Sequence, residues 1–280
     1  MNYTELNNGV KIPNLGIGTY LIKPDDTERS VKQALEIGYR LIDTSHIYSN
    51  EEAVGRAIKA SGVKREEIFV STKLWPTEYE NENAVKEALQ RLNLDYIDIL
   101  FLDQPSGNYM AGYKLLEKAY QEGKIKSIGI SNFEGKHIEE ILDHCEYIPQ
   151  VNQVECHPYF TQEELRKVTD PSNIKIMSWF PLGQEIAKKY NKTNAQIILK
   201  WHIQMGFIVI PGSKNIDHIR DNFNLFDFEL TNEDMAKFET LNKHKKYNTK
   251  EKMMDYFHNY VYLYHNIIMK GNTNLLRKFI

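Results

Sequence analysis

Short apolar runs alternate along the chain with longer stretches in which apolar residues recur every three or four positions. The first kind reads as strands buried on both faces, the second as amphipathic helices. Runs at 15–19, 41–43, 68–72, 98–102, 126–130, 149–154, 174–179 and 207–210 are the predicted strands. Helical spacing follows each of them, at 26–37, 51–60, 83–92, 112–122, 135–144, 162–168, 193–201 and 217–223. Gly38 is a helix stop, and Thr193-Asn194-Ala195-Gln196 spells a capping box. Before the alternation begins, Asn7-Asn8-Gly9 separates two short runs at 3–6 and 10–12. Asn-Gly tolerates positive φ and predicts a hairpin that plugs one end of a barrel. After Leu241 the pattern changes. A basic, polar stretch leads into Met253, Met254, Phe257, Tyr260, Val261, Tyr264, Ile267 and Ile268, one face of an amphipathic helix. Its expected role is packing on the barrel or on a partner subunit, with a lid over the substrate pocket as the second reading.

Eight strand–helix units joined by short polar loops predict a single α/β domain over 1–280: a (β/α)8 TIM barrel, with the hairpin in front and residues 243–280 as a C-terminal helical extension. The alternative is a doubly wound sheet, which would bind dinucleotide through a glycine-rich first turn. Gly16 and Gly18 supply two glycines of that fingerprint, but Leu21 stands where the third belongs.

In a parallel α/β fold, chemistry collects at the carboxyl ends of the strands. Two predicted strands end on or beside charged residues: 41–43 on Asp43, with Tyr48 in the following loop, and 68–72 just before Lys73. A buried strand end rarely carries an ionisable group without a partner or a task. The three residues predict one cluster: a phenol, an ammonium beside it, and a carboxylate holding the ammonium. A free tyrosine has a pKa of about 10, too high for efficient proton exchange at neutral pH, and a neighbouring ammonium lowers it. The same cluster also reads as a structural ion pair with a hydrogen-bonded tyrosine.

From Gly38 to Gly55 the sequence runs Gly-Tyr-Arg-x-Ile-Asp-Thr-Ser-x-x-Tyr-x-Asn-Glu-x-x-Val-Gly, and Ser71-Thr72-Lys73-Leu74-Trp75 follows in order. At these residues the chain resembles the aldo-keto reductases, and the resemblance extends from about Leu6 to about Leu241. It implies reduction of aldehydes or ketones to alcohols by hydride transfer. Tyr48 would be the general acid, Lys73 would tune it, and Asp43 would pair with Lys73. It also implies a dinucleotide site, with NADP(H) as first candidate and NAD(H) as second. Ser131 and Asn132, in Gly-Ile-Ser-Asn-Phe, and Gln153 match residues that hold the nicotinamide carboxamide. Trp179 matches the aromatic residue that stacks on the ring. Leu182 follows it in Ser-Trp-Phe-Pro-Leu-Gly and is assigned to the same site. Ser213, Asn215 and His218 fall in the segment that binds the adenosine-side phosphate. Tyr20 and Trp75 are the candidate aromatic lining for a small-molecule carbonyl substrate.

The chain departs from the family's pattern at three places. Asp103 stands where a substrate-binding histidine is usual; a branch of the family carries Glu there and reduces a carbon–carbon double bond. Gly183 runs straight into Gln184, where the family has a longer loop over the pyrophosphate. Gly212 and His218 replace cations that meet a 2′-phosphate, leaving Lys214 as the substitute. These departures keep two alternatives open: a weakened cofactor-binding or regulatory barrel, and a reductase of conjugated C=C bonds. A third reading is a Schiff-base barrel enzyme acting through Lys73.

Composition narrows the setting. The 280 residues, 41% of them hydrophobic, suit one barrel with a large core. A net charge of -3 gives no field that calls for nucleic acid or an anionic membrane surface. Two cysteines, Cys145 and Cys156, fit a reducing compartment, and Cys156-His157 has no further Cys or His at metal-ligand spacing. The N-terminus carries no apolar signal core, and no run approaches the roughly 20 apolar residues of a membrane span. The expectation is a cytoplasmic protein, a monomer or weak homodimer.

Overall fold

The structure is a computed structural model that describes residues 2–179, 187–244 and 246. Two short strands, β1 (Tyr3–Glu5) and β2 (Lys11–Pro13), pair antiparallel. Then come β3 (Ile17–Gly18), β4 (Leu41–Asp43), β5 (Phe69–Leu74), β6 (Ile99–Leu102), β7 (Ile128–Ser131), β8 (Val151–Glu155), β9 (Lys175–Trp179) and β10 (Ile208–Val209). They form one eight-stranded parallel sheet in sequential order. Its ends meet. Gly16 N–H donates to Val209 O at 2.8 Å, Gly18 N–H to Pro211 O at 3.2 Å, and Val209 N–H to Asn14 O at 2.9 Å. With helices alternating with these strands, this is the (β/α)8 architecture that the periodicity predicts. The helices are α1 (Pro24–Ile37), α2 (Glu51–Ser61), α3 (Ala84–Leu92), α4 (Tyr109–Gln121), α5 (Lys136–His144), α6 (Glu163–Thr169), α7 (Asn194–Gln204), α8 (Ile216–Phe223) and α9 (Asn232–Glu239).

Two cores follow from the period of two in each strand. Outward residues such as Val70 and Leu74 join Val31, Val54, Ala88, Leu116 and Trp201 in the layer between sheet and helices. Inward residues Leu41, Phe69, Ile99, Phe101, Val151, Met177 and Ile208 fill the barrel together with Leu6 and Ile12 from the hairpin. The hairpin is tied on by Asn7 and Asn8, whose amides donate to Pro149 O at 3.0 Å and Lys126 O at 3.1 Å. Those carbonyls immediately precede β8 and β7, so the plug sits at the amino ends of the strands. The carboxyl ends are left for polar side chains.

Local chemistry explains the boundaries. Gly38 ends α1 at φ 121, and its N–H reaches Ala34 O and Leu35 O; a side chain at that φ is strained. Thr193 and Gln196 cap α7 reciprocally, at 3.2 Å and 2.9 Å. Gly55 lets α2 approach α3: a Cβ there would run into the Leu92 carbonyl. Three details differ from expectation. In the hairpin loop only Gly9, not Asn8, takes positive φ, because Leu6 N–H bonds Val10 O across a three-residue loop. Helix α4 begins at Tyr109, since the Asn108 side chain accepts from Ala111 N–H and starts it early. Helix α9 was not anticipated, although Thr231-x-x-Asp234 marks its start and the Thr231 hydroxyl accepts from Asp234 N–H.

Residues 1–243 form one compact unit. The amphipathic stripe expected beyond them, and the loop after Gly183 with Leu182, lie outside the described residues. Among the described residues no helix is long and apolar enough to cross a membrane.

Candidate active site

Alternation along β5 carries Ser71 and Lys73 into the barrel, above the apolar layer of Phe69. Asp43, at the last position of β4, lies in register with Ser71. Lys73 is 1% exposed and Asp43 2%. The Lys73 ammonium has three N–H groups, and three acceptors meet it: Asp43 Oδ2 at 2.8 Å, Thr44 O at 2.8 Å and Tyr48 Oη at 3.4 Å. The other carboxylate oxygen of Asp43 accepts from Ser71 Oγ and from Gln153 Nε2, both at 2.8 Å. A buried ion pair of this kind is tolerable only when its remaining polar atoms are satisfied, and here Ser71 of β5 and Gln153 of β8 satisfy them. The cluster predicted from sequence is therefore assembled, with Gln153 attached to it.

Tyr48 closes the single 3-10 turn His46–Tyr48, its N–H on Ser45 O at 3.0 Å. Its ring lies 5.0 Å from the Lys73 ammonium and 5.1 Å from the ring of Tyr20, which is 51% exposed. Phenol, ammonium and an exposed aromatic thus share the mouth.

Asp103 follows β6 and is buried at 6% exposure. Ser45 Oγ donates to its Oδ2 at 2.7 Å, and Asn132 Nδ2 donates to its backbone carbonyl at 3.2 Å. Burial raises its pKa above the ordinary carboxylate range, and the Asp43 charge adds to that. The Lys73 charge and the Ser45 hydrogen bond oppose it. Asn132, at φ 65, also donates to Ser131 Oγ at 3.2 Å and accepts from Trp179 Nε1 at 3.2 Å. Ser131, Asn132, Gln153 and Trp179 thus converge from the ends of β7, β8 and β9. They offer a hydroxyl, two amides and a half-buried indole, a donor set that fits a carboxamide-bearing aromatic ring.

Ser213, Asn215 and His218 form a separate surface group around the start of α8. Asn215 caps that helix by accepting from Asp217 N–H at 2.9 Å, and its own N–H donates to Ser213 Oγ at 3.1 Å. His218 and Lys214 are exposed. Asp217 adds a carboxylate to the first turn and pairs with Arg220 at 3.1 Å. Lys214 and Arg220 are the cations beside this terminus. Trp75, half-buried, begins the segment after β5, and its N–H donates to Glu78 Oε2 at 2.8 Å.

Sequence reasoning missed Ser45, His46 and Glu78. Ser45 and His46 lie inside the quoted pattern, within three residues of Tyr48. Their partners Asp103 and Glu78 are 58 and 32 residues away, and the paths of the loops after β4, β5 and β6 bring them together.

The sequence model of the Aldo/keto reductase family matches residues 14–184 and 184–243. Its two parts meet at Gln184. The chain is 43% identical over 257 residues to the glyoxal reductase of Bacillus subtilis, covering 86% of this chain and 93% of that one. It is 41% identical over 263 residues to the 9,11-endoperoxide prostaglandin H2 reductase of Trypanosoma cruzi, covering 88% and 93%. Among solved structures, MGS-M4, an aldo-keto reductase enzyme from a deep-sea metagenome library, superposes with a TM-score of 0.85 at 41% identity, covering 89% of this chain and 97% of that chain.

Proposed function

The chain belongs to the aldo/keto reductase family, and on that premise we propose that it reduces small carbonyl compounds to alcohols with a nicotinamide dinucleotide, Tyr48 acting as the general acid. The observation that carries this reading is the Lys73 ammonium. It is buried, held on Asp43 at 2.8 Å and directed at the Tyr48 oxygen at 3.4 Å. Reduction of a carbonyl builds negative charge on oxygen, which a proton must neutralise. Tyr48 supplies that proton from the mouth, and Lys73 stabilises the phenolate left behind. Asp43 keeps the ammonium charged and fixed in direction. The 3.4 Å separation is long for a hydrogen bond, as is common before substrate tightens a catalytic contact.

The dinucleotide, when bound, supplies the hydride. Ser131, Asn132 and Gln153 would hold its carboxamide, Trp179 would stack against its ring, and the α8 segment with Ser213, Asn215, His218 and Lys214 would take the phosphate end. NADPH is the expected preference, on the cations Lys214 and Arg220. The B. subtilis relative is a glyoxal reductase, which supports a small aldehyde or dicarbonyl as substrate. The Schiff-base reading loses ground because all three N–H groups of Lys73 are engaged by Asp43, Thr44 and Tyr48, leaving no lone pair for attack.

Asp103 supports one alternative chemistry. As a neutral acid it donates a hydrogen bond, and a conjugated enone would then be the better substrate; as a carboxylate it opposes a developing oxyanion. The test is oxidation of NADPH and NADH with a panel of aldehydes, ketones and enones, alongside cofactor binding by fluorescence quenching. Turnover of aldehydes supports the proposal. Turnover of enones alone supports the alternative, and binding without turnover of either class supports a regulatory barrel.

A further inference from the structure

The mouth has two walls, the His46–Tyr48 turn that carries Tyr48 and the segment after β5 that carries Trp75. One carboxylate joins them. Glu78 sits on the short turn Pro76–Glu78, three residues after Trp75, and is buried at 7% exposure. A single oxygen, Oε2, faces both His46 Nδ1 and Trp75 N–H, each at 2.8 Å. His46 is two residues before Tyr48. The Glu78 N–H returns to Trp75 O at 2.8 Å, so the segment from Trp75 to Glu78 is closed on itself.

The other side of Glu78 is slack. Its Oε1 faces Arg91 Nη2 of α3 at 3.7 Å, and neither atom makes a hydrogen bond among the described residues. The Arg91 Nε is spent on Glu51, at the start of α2, and Glu51 accepts from Thr72 Oγ1 at 2.6 Å. Glu78 thus meets the turn of Tyr48 at closer range than it meets Arg91 of α3. At the far end of the Trp75 segment, the Tyr79 hydroxyl donates to Gln104 O at 2.9 Å and accepts from Gln104 N–H at 3.0 Å, which ties the same segment to the loop of Asp103.

We propose that His46 and Glu78 are positioning residues that keep the Trp75 wall in register with Tyr48, and that their contact, Nδ1 to Oε2 at 2.8 Å, sets the size of carbonyl substituent the mouth admits. This rests on the reductase reading of Tyr48 and on Trp75 as substrate lining. A small dicarbonyl such as glyoxal needs the acid but touches the wall little. An aromatic aldehyde such as benzaldehyde needs both.

The experiment compares wild type, His46→Ala and His46→Asn, whose amide N–H can donate where the imidazole does. In His46→Ala, KM for benzaldehyde is expected to rise roughly tenfold, the equivalent of about 1.4 kcal/mol, with KM for glyoxal and Kd for NADPH little changed. In His46→Asn the benzaldehyde KM returns towards wild type. Equal change for the two aldehydes, no change for either, or failure of His46→Asn to restore the value overturns the proposal. If His46→Ala does not fold, His46→Phe, which keeps a ring without a donor, takes its place under the same criteria. A wild-type protein that turns over no carbonyl overturns the reductase reading instead. Amide hydrogen exchange then decides the bridge: Trp75 and Tyr48 should exchange faster in His46→Ala and recover in His46→Asn, and unchanged exchange at both overturns it.

Discussion

Ser45 donates a hydrogen bond to Asp103 across the mouth of the barrel, Oγ to Oδ2 at 2.7 Å. A hydroxyl one residue after Thr44 thereby holds the carboxyl that follows β6. Burial and the neighbouring Asp43 charge push the Asp103 pKa up, against the pull of Lys73 and Ser45. On the proposed reading, this makes Asp103 the residue expected to change what the site reduces.

Asp103 should therefore govern both the pH dependence and the substrate range. Its neutral form donates and its charged form repels an oxyanion, so wild-type carbonyl reduction should fall as pH rises through its folded pKa. Asp103→His should raise kcat/KM for a simple aldehyde at pH 7, because neutral imidazole donates without negative charge. The linkage sign is set by a raised carboxyl pKa: its contribution to stability is present below the unfolded value and lost as pH rises through the folded one. Asp103→Asn should consequently gain Tm over wild type as pH increases from mildly acidic to neutral. A kcat/KM no higher in Asp103→His at any pH, or a Tm difference independent of pH, would remove Asp103 from this role.

The buried pair of Lys73 and Asp43 separates structure from chemistry. Lys73→Met leaves Asp43 as an uncompensated buried charge, a loss of about 3–5 kcal/mol. The double variant Asp43→Asn/Lys73→Met removes both charges and should recover much of that stability. Activity should not recover, because the phenol has still lost its ammonium. Thermal denaturation and turnover measured on the same three proteins decide this; recovery of activity with stability would make the pair structural only.

Trp179 donates one hydrogen bond, Nε1 to Asn132 Oδ1 at 3.2 Å, and its proposed part is to stack on the dinucleotide. Trp179→Ala should weaken dinucleotide binding by roughly 2- to 10-fold, as expected for a lost stacking partner worth about 0.5–1.5 kcal/mol. The pH profile should keep its shape, since no titrating group is removed. Fluorescence quenching across a dinucleotide titration checks this, and an unchanged Kd would take Trp179 out of the site.

The barrel was legible because its signals are local. Leu41 to Asp43 reads as a strand in sequence and is one, and the Thr193–Gln196 capping box and the Gly38 stop are where the residues say they should be. The cluster of Asp43, Tyr48 and Lys73 was legible for a related reason: parallel strands in sequence order put successive strand ends beside one another. What escaped were pairings set by loop paths. Ser45 with Asp103 and His46 with Glu78 depend on how the β4, β5 and β6 loops fold over the mouth, and no periodicity encodes that. Gln153 is expected to meet a cofactor amide; its Nε2 also lies on Asp43 Oδ1 and 3.0 Å from Met177 Sδ, contacts visible only once β8 stands across the barrel from β4. Helix α9 was missed for a simpler reason, a Thr-x-x-Asp start followed by a short apolar face of Met235 and Phe238.

The account turns on the Tyr48 proton. The most direct measurement is kcat for aldehyde reduction in Tyr48→Phe against wild type, with NADPH affinity measured on the same preparations. Loss of the general acid should lower kcat by about 10²–10⁴-fold while the dinucleotide Kd stays within about twofold, because the phenol acts on the transition state and not on the cofactor. Near-wild-type kcat in Tyr48→Phe would contradict the account, and the assembly of Asp43, Lys73 and Tyr48 would then be a structural ion pair beside a tyrosine.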